Sequence, residues 1–76
     1  MTLHSDPTQV ASLLRMANQI ASNATHKPHD AAVAMVAAHL RDFWAPAMRE
    51  HLTEWMDAGG EGLDPIAAAA LNSLRP

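Results

Sequence analysis

Apolar residues recur at helical spacing along most of the chain, and proline and glycine divide the pattern into four segments. The first stripe, Val10, Leu13, Leu14, Ala17, Ile20 and Ala21, advances by three and four residues. It predicts a helix with Ser5 or Asp6 as N-cap and Pro7 in its first turn, ending near Asn23. A linker, Ala24-Thr25-His26-Lys27, leads to Pro28 as a helix starter, with Asp30 set against the positive end of the helix dipole. Val33, Val36, Ala37, Leu40, Phe43 and Trp44 are expected on one side of this second helix. Pro46 has no N–H to donate and sits badly inside a helix, so Phe43-Trp44 closes the second helix and Pro46 opens the third. Met48, Leu52, Trp55 and Met56 stripe the third helix until Gly59-Gly60 stops it. Asp64-Pro65 repeats the cap-and-starter arrangement and begins a short fourth helix through Ile66, Ala70, Leu71 and Leu74. No strand-like alternation occurs, so the expected class is all-α: one domain over residues 1–76 built from three to four short helices.

The corner between the second and third helices holds two of the three aromatic side chains in the sequence, one Phe and one of two Trp. A corner carrying Phe43, Trp44 and Met48 is either the hub of a small core or an anchor for a partner, because these residue types dominate both settings. Phe43 is expected in the hub, given how often phenylalanine is buried. Trp44 suits either role. Of 37 apolar residues, 16 are alanine, which leaves 21 larger side chains and favours closely packed helices around a thin core. A chain of this length buries only about 60% of its unfolded surface, and with no cysteine it has no disulfide to compensate. A supporting partner is the natural expectation.

The formal charge of −3 and a pI near 5.9, with five Lys and Arg residues scattered singly, exclude a nucleic-acid surface. Met1 to Pro7 lacks the basic region and apolar core of a signal peptide, and the uncharged runs at 31–38 and 65–74 fall short of the roughly 20 residues of a membrane helix. A soluble, cytoplasmic chain without membrane contact is therefore expected. Candidate chemistry is sparse. Pro28 separates His26 from His29 and no ligand set is completed, while His39 and His51 lie on different helices and read as solvated or core histidines. Ser5, Ser12, Ser22 and Ser73 lack the strained elbow of a nucleophile. The carboxylate pairs Asp42 with Glu50 and Glu54 with Asp57 read as solvated helix faces, with ion pairing among Arg49, Glu50 and Glu54. Gly59-Gly60-Glu61-Gly62 follows no strand and carries an acid where a phosphate would be repelled. These residues describe a non-catalytic helical module with no catalytic, cofactor-binding or metal-ligating side chain.

Five pieces of the sequence occur in a recognisable order: Met16-Ala17-Asn18-Gln19-Ile20-Ala21; Ala32-Val33-Ala34; His39-Leu40-Arg41-Asp42-Phe43-Trp44; Pro46 with Met48-Arg49; and Asp57-Ala58-Gly59-Gly60-Glu61-Gly62-Leu63-Asp64-Pro65. Together they resemble the delta subunit of cytoplasmic NAD-dependent formate dehydrogenase over about residues 10–71. Ala45 and Ala47 depart from that family, whose members usually place an acid before the proline and a base after it. The resemblance implies a small accessory chain of a molybdenum- or tungsten-dependent enzyme that oxidises formate and passes electrons to NAD. It implies an alpha subunit holding a bis-pterin-guanine-dinucleotide metal centre and iron–sulfur clusters, with flavin and further clusters on beta and gamma subunits. Partner contact with alpha, and through it with beta and gamma, would then fall on Phe43, Trp44, Met48, Arg49, Trp55, Gly59 and Gly60. Iron–sulfur ligation needs thiolates that this chain lacks, so electrons are expected not to pass through it. Two roles fit: a permanent structural subunit, or a maturation factor that assists insertion of the metal cofactor.

A thin, alanine-rich core predicts that the isolated chain is helical but of low stability. Circular dichroism of dilute protein should show a broad, low-temperature transition; a sharp unfolding at high temperature would contradict the expectation.

Overall fold

Proline and glycine set the helix boundaries close to where the sequence predicts them. The computed structural model describes residues 7–75, in which α1 spans Pro7–Ser22, α2 His29–Phe43, α3 Pro46–Asp57 and α4 Pro65–Ser73. No strand occurs among the described residues. The expected caps of α1, Ser5 and Asp6, lie outside them. α2 starts one residue after Pro28, whose carbonyl accepts the Ala32 N–H at 2.8 Å, and Asp30 sits in its first turn. The Asp64 carboxylate caps α4 by accepting the Ile66 N–H at 2.8 Å. α3 ends in a Schellman arrangement: the Gly60 N–H reaches the Trp55 carbonyl at 2.8 Å and the Gly59 N–H reaches Met56 at 3.0 Å. Gly59 adopts φ +86, the left-handed conformation that this closure requires.

The helices bury alanine as much as leucine. α1 contributes Val10, Leu13, Ala17 and Ala21; α2 contributes Ala32, Val36, Ala37 and Leu40; α4 contributes Ala67, Ala70 and Leu71. α4 touches all three other helices and lies most extensively along α2, whereas the consecutive helices α2 and α3 hardly meet. Facing alanines allow the axes of α2 and α4 to approach closely, and Val36, Leu40 and Leu71, all fully buried, fill the space between them. Leu52 is the one α3 residue buried outright; Met48 and Met56 pack against the core half-buried. The result is elongated, 43 × 23 × 20 Å.

One expectation is extended and two are corrected. Ala24 lies in the expected linker but also belongs to the core: it is fully buried, and backbone hydrogen bonds from Ala24 to Ala21 and from Lys27 to Ala24 fold the connection over α1. α4 buries Ala67, while the expected core residues Ile66 and Leu74 are only partly covered. Phe43 is not on the buried face of α2. The buried ridge runs Ala32, Val36, Leu40, Trp44 at intervals of four, and a residue one before Trp44 is turned about 100° away from it.

Two hydrogen bonds from Arg75 to Asp57, 2.7 and 3.2 Å long, join the end of α3 to the second residue after α4. Hydrogen bonds from Arg75 hold the Asp57 carboxyl below its ordinary value. The pair therefore contributes at neutral pH and is lost in acid as pH falls through that lowered value, with solvent limiting its strength.

If close α2–α4 approach depends on small side chains, Ala70→Leu should lower stability by roughly 1–3 kcal/mol through overpacking. Ala34→Leu, on the exposed face of α2, should change the denaturant midpoint little. Equal midpoints for the two variants would refute the packing account.

Candidate functional site

The α2–α3 corner sends its two aromatic rings in opposite directions. Trp44 leaves the helix in extended backbone, φ −96 and ψ 139, and its ring turns into the core, leaving 6% exposed. Phe43, still helical, is 75% exposed and lies against His39 one turn earlier, with ring centroids 4.9 Å apart. Of the two roles open to Trp44, hub is the one adopted, and Phe43 occupies the outside. Arg49 does not pair with Glu50 or Glu54 as expected. Its Nη1 donates to the carbonyls of Leu40, Arg41 and Trp44 at 3.3–3.4 Å, placing a cation on the C-terminal end of α2 where the orphan carbonyls and the helix dipole favour it.

The glycine turn is held from two sides. Asn18 on α1 uses both ends of its amide: Nδ2 donates to the Gly62 carbonyl at 2.8 Å and Oδ1 accepts the Asp64 N–H at 2.8 Å. Trp55 lies across Gly60 and donates its indole N–H to the Glu61 carbonyl at 3.0 Å. A Cβ on Gly60 would occupy the indole ring itself. Trp55, Gly59 and Gly60 are thus tied up in the chain's own turn, with Gly59 exposed and the other two half-buried. Asn18 carries this clamp although its sequence position, an asparagine within an otherwise regular helix, did not mark it as a site.

Among the described residues, two of the surface grooves share no residue. One, of about 350 Å³ between α1 and α2, is lined by Ile20, Asn23, Met35, His39, Asp42 and Phe43, and Met16 is exposed to 41% one turn before Ile20. Between Asp30 and Arg41 α2 carries no acid, lysine or arginine, and its outward residues Ala31, Ala34 and His39 leave an uncharged face about three turns long. The other groove, of about 570 Å³, runs between α3 and α4 beside Glu50, Glu54, Leu71 and Leu74. His26, His29 and His39 are exposed; His51 is half-buried with Nδ1 covered and unbonded.

A family model for the NADH-dependent formate dehydrogenase delta subunit, FdsD, matches residues 12–71. The chain belongs to this family. No curated protein and no solved structure matches it. As a delta-subunit family member it is one chain of a formate dehydrogenase complex. The matched stretch holds the corner, the Asn18 clamp and the glycine turn, and ends at Leu71 within α4. Its residues do not fit an iron–sulfur cluster, since the sequence has no cysteine. Among the described residues no three His, Asp or Glu side chains converge as a metal set, and no helix is long and apolar enough to cross a membrane.

Asn18→Ala removes both clamp bonds and leaves a main-chain carbonyl and N–H without their partner, which should lower stability by about 1–3 kcal/mol. Asn18→Asp keeps the acceptor for Asp64 but loses the donor to Gly62, so it should fall between. Denaturant unfolding followed by tryptophan fluorescence checks the order; an alanine variant as stable as the parent would remove the clamp from this account.

Proposed function

We propose that this chain is a non-catalytic accessory subunit of a cytoplasmic NAD-dependent formate dehydrogenase, and that it binds the catalytic alpha subunit through its α1/α2 face and supports assembly or stability. The observation that carries the reading is the Phe43 ring, 75% exposed beside a groove lined by Ile20 and Met35 in a chain of a multi-subunit enzyme family. A large aromatic left in water next to an apolar groove is what an interface core is built from, while the polar rim excludes solvent around it. Trp44 is unsuited to the same task, because its ring is already used inside. On this reading the molybdenum or tungsten bis-pterin centre, the iron–sulfur clusters, the flavin and the NAD site belong to the other subunits. His39 then acts by covering Phe43, not by moving protons.

Phe43→Ala should leave the free chain folded, because it removes little buried surface, and should weaken association with the alpha subunit by about 2 kcal/mol, roughly thirtyfold. His39→Gln complexes, normalised to metal content, should turn over formate within a few-fold of the parent; a general acid or base would lose on the order of a hundredfold. Stoichiometric retention of the chain in the active complex supports the subunit role. Its release once the metal centre is loaded would instead establish a maturation factor.

A further inference from the structure

We infer that α3 is a conformational unit of its own: it detaches from α1 and α4 and loses its helical turns while α1, α2 and α4 stay packed together. The inference concerns this chain alone and does not rest on the subunit reading.

α1, α2 and α4 each touch the other two, so they close a body without α3, which meets α1 and α4 and hardly meets α2. Of the twelve residues of α3 only Leu52 is buried outright, whereas α2 buries Ala32, Val36, Ala37 and Leu40, and the shorter α4 buries Ala67, Ala70 and Leu71. Local chemistry does not make up the difference. Ala45 offers no side-chain cap, Arg49 near the start and Asp57 at the end both stand against the helix dipole, and the exposed Glu50 and Glu54 repel one another at a spacing of four. His51 adds a further cost. Its Nδ1 is covered and unbonded, and it regains water when α3 lifts.

Side-chain latches near the two ends hold α3 down. Arg49 grips the last carbonyls of α2 at 3.3–3.4 Å, the Trp55 indole donates to the Glu61 carbonyl at 3.0 Å, and Asp57 accepts two bonds from Arg75. The Trp55 and Asp57 bonds are exposed, so water replaces them at little cost. The anchors beyond these latches are firmer. Trp44 is seated in the core, and Asn18 holds both Gly62 and Asp64 at 2.8 Å. The stretch between Trp44 and Gly62 can therefore open with its ends fixed, pivoting at the extended Ala45 before Pro46 and at Gly59, whose φ is +86. Few buried apolar side chains and exposed hydrogen bonds mark the part of a small protein that opens first. Opening gives the chain a second state, in which Met48, Leu52 and Met56 leave the core while the α2–α4 contact persists.

Native-state hydrogen exchange of the full chain, followed by NMR at low urea concentrations, tests the inference. In the parent, the Leu52 and Thr53 amides should be about tenfold less protected than those of Val36 and Leu40, and should respond less to urea, because opening α3 exposes less surface than global unfolding. Val36→Ala separates the two openings. It weakens α2–α4 packing in the closed and the α3-open states alike, so exchange at Leu40 should quicken about tenfold while Leu52 and Thr53 stay within about twofold of the parent. His51→Leu, which removes the covered nitrogen, should slow exchange at Leu52 and Thr53 severalfold; exchange as fast as the parent's overturns the cost assigned to Nδ1. Equal protection and equal urea response in α2 and α3 of the parent overturn the separate unit. So does a Val36→Ala variant in which both sets of amides quicken together. If that variant does not fold, the urea responses of the parent decide alone.

Discussion

Close contact between the alanine-bearing faces of α2 and α4 is the constraint from which the rest of this structure follows. Ala32 and Ala37 on one helix, and Ala67 and Ala70 on the other, are small enough to let the axes approach, so that Val36, Leu40 and Leu71 complete a dry interface with few atoms. α4 is only nine residues long and would be marginal alone. Seated against α2, and touching α1 and α3 as well, it closes a core that the two longer helices could not close by themselves. Its position in turn depends on the segment that delivers it, and that segment is fixed by the Asn18 amide and by the Trp55 indole resting on Gly60. Long-range order in this protein is thus carried by methyl-sized side chains and a few main-chain hydrogen bonds.

The same economy explains the corner. α2 and α3 barely touch, so they need another tie, and Arg49 supplies it by gathering the last carbonyls of α2 while Trp44 folds beneath. With Trp44 turned inward, Phe43 points outward, because successive residues along α2 are rotated by about 100°. The corner is therefore at once a structural joint and the origin of the exposed aromatic. Burial of one ring and exposure of the other are coupled here through one residue of helical phase.

The described residues carry grooves of different character: one beside Phe43, mostly uncharged but with Asp42 in its lining, and one between α3 and α4 lined by Arg49, Glu50, Glu54 and Arg75. The first suits burial against another apolar surface.

Much of this was legible in the chain. Pro46, Pro65, Gly59 and Asp64 act through local backbone chemistry, so the helix boundaries they impose could be read directly, and five short motifs in order were enough to indicate the family that residues 12–71 match. Local periodicity also marked Leu13, Ala17, Leu40, Leu52 and Leu71 as interior. It could not separate Phe43 from Trp44, because the last residue of a helix and the first beyond it differ in backbone direction, and only the docked chain decides which ring finds room inside. Nor could it show that Ala24 and Ala67 are buried, that Arg49 turns away from its acidic neighbours, or that Asn18 spans to residues 62 and 64. Those outcomes depend on which helices meet in space, a property of the packed structure that spacing along the chain does not encode.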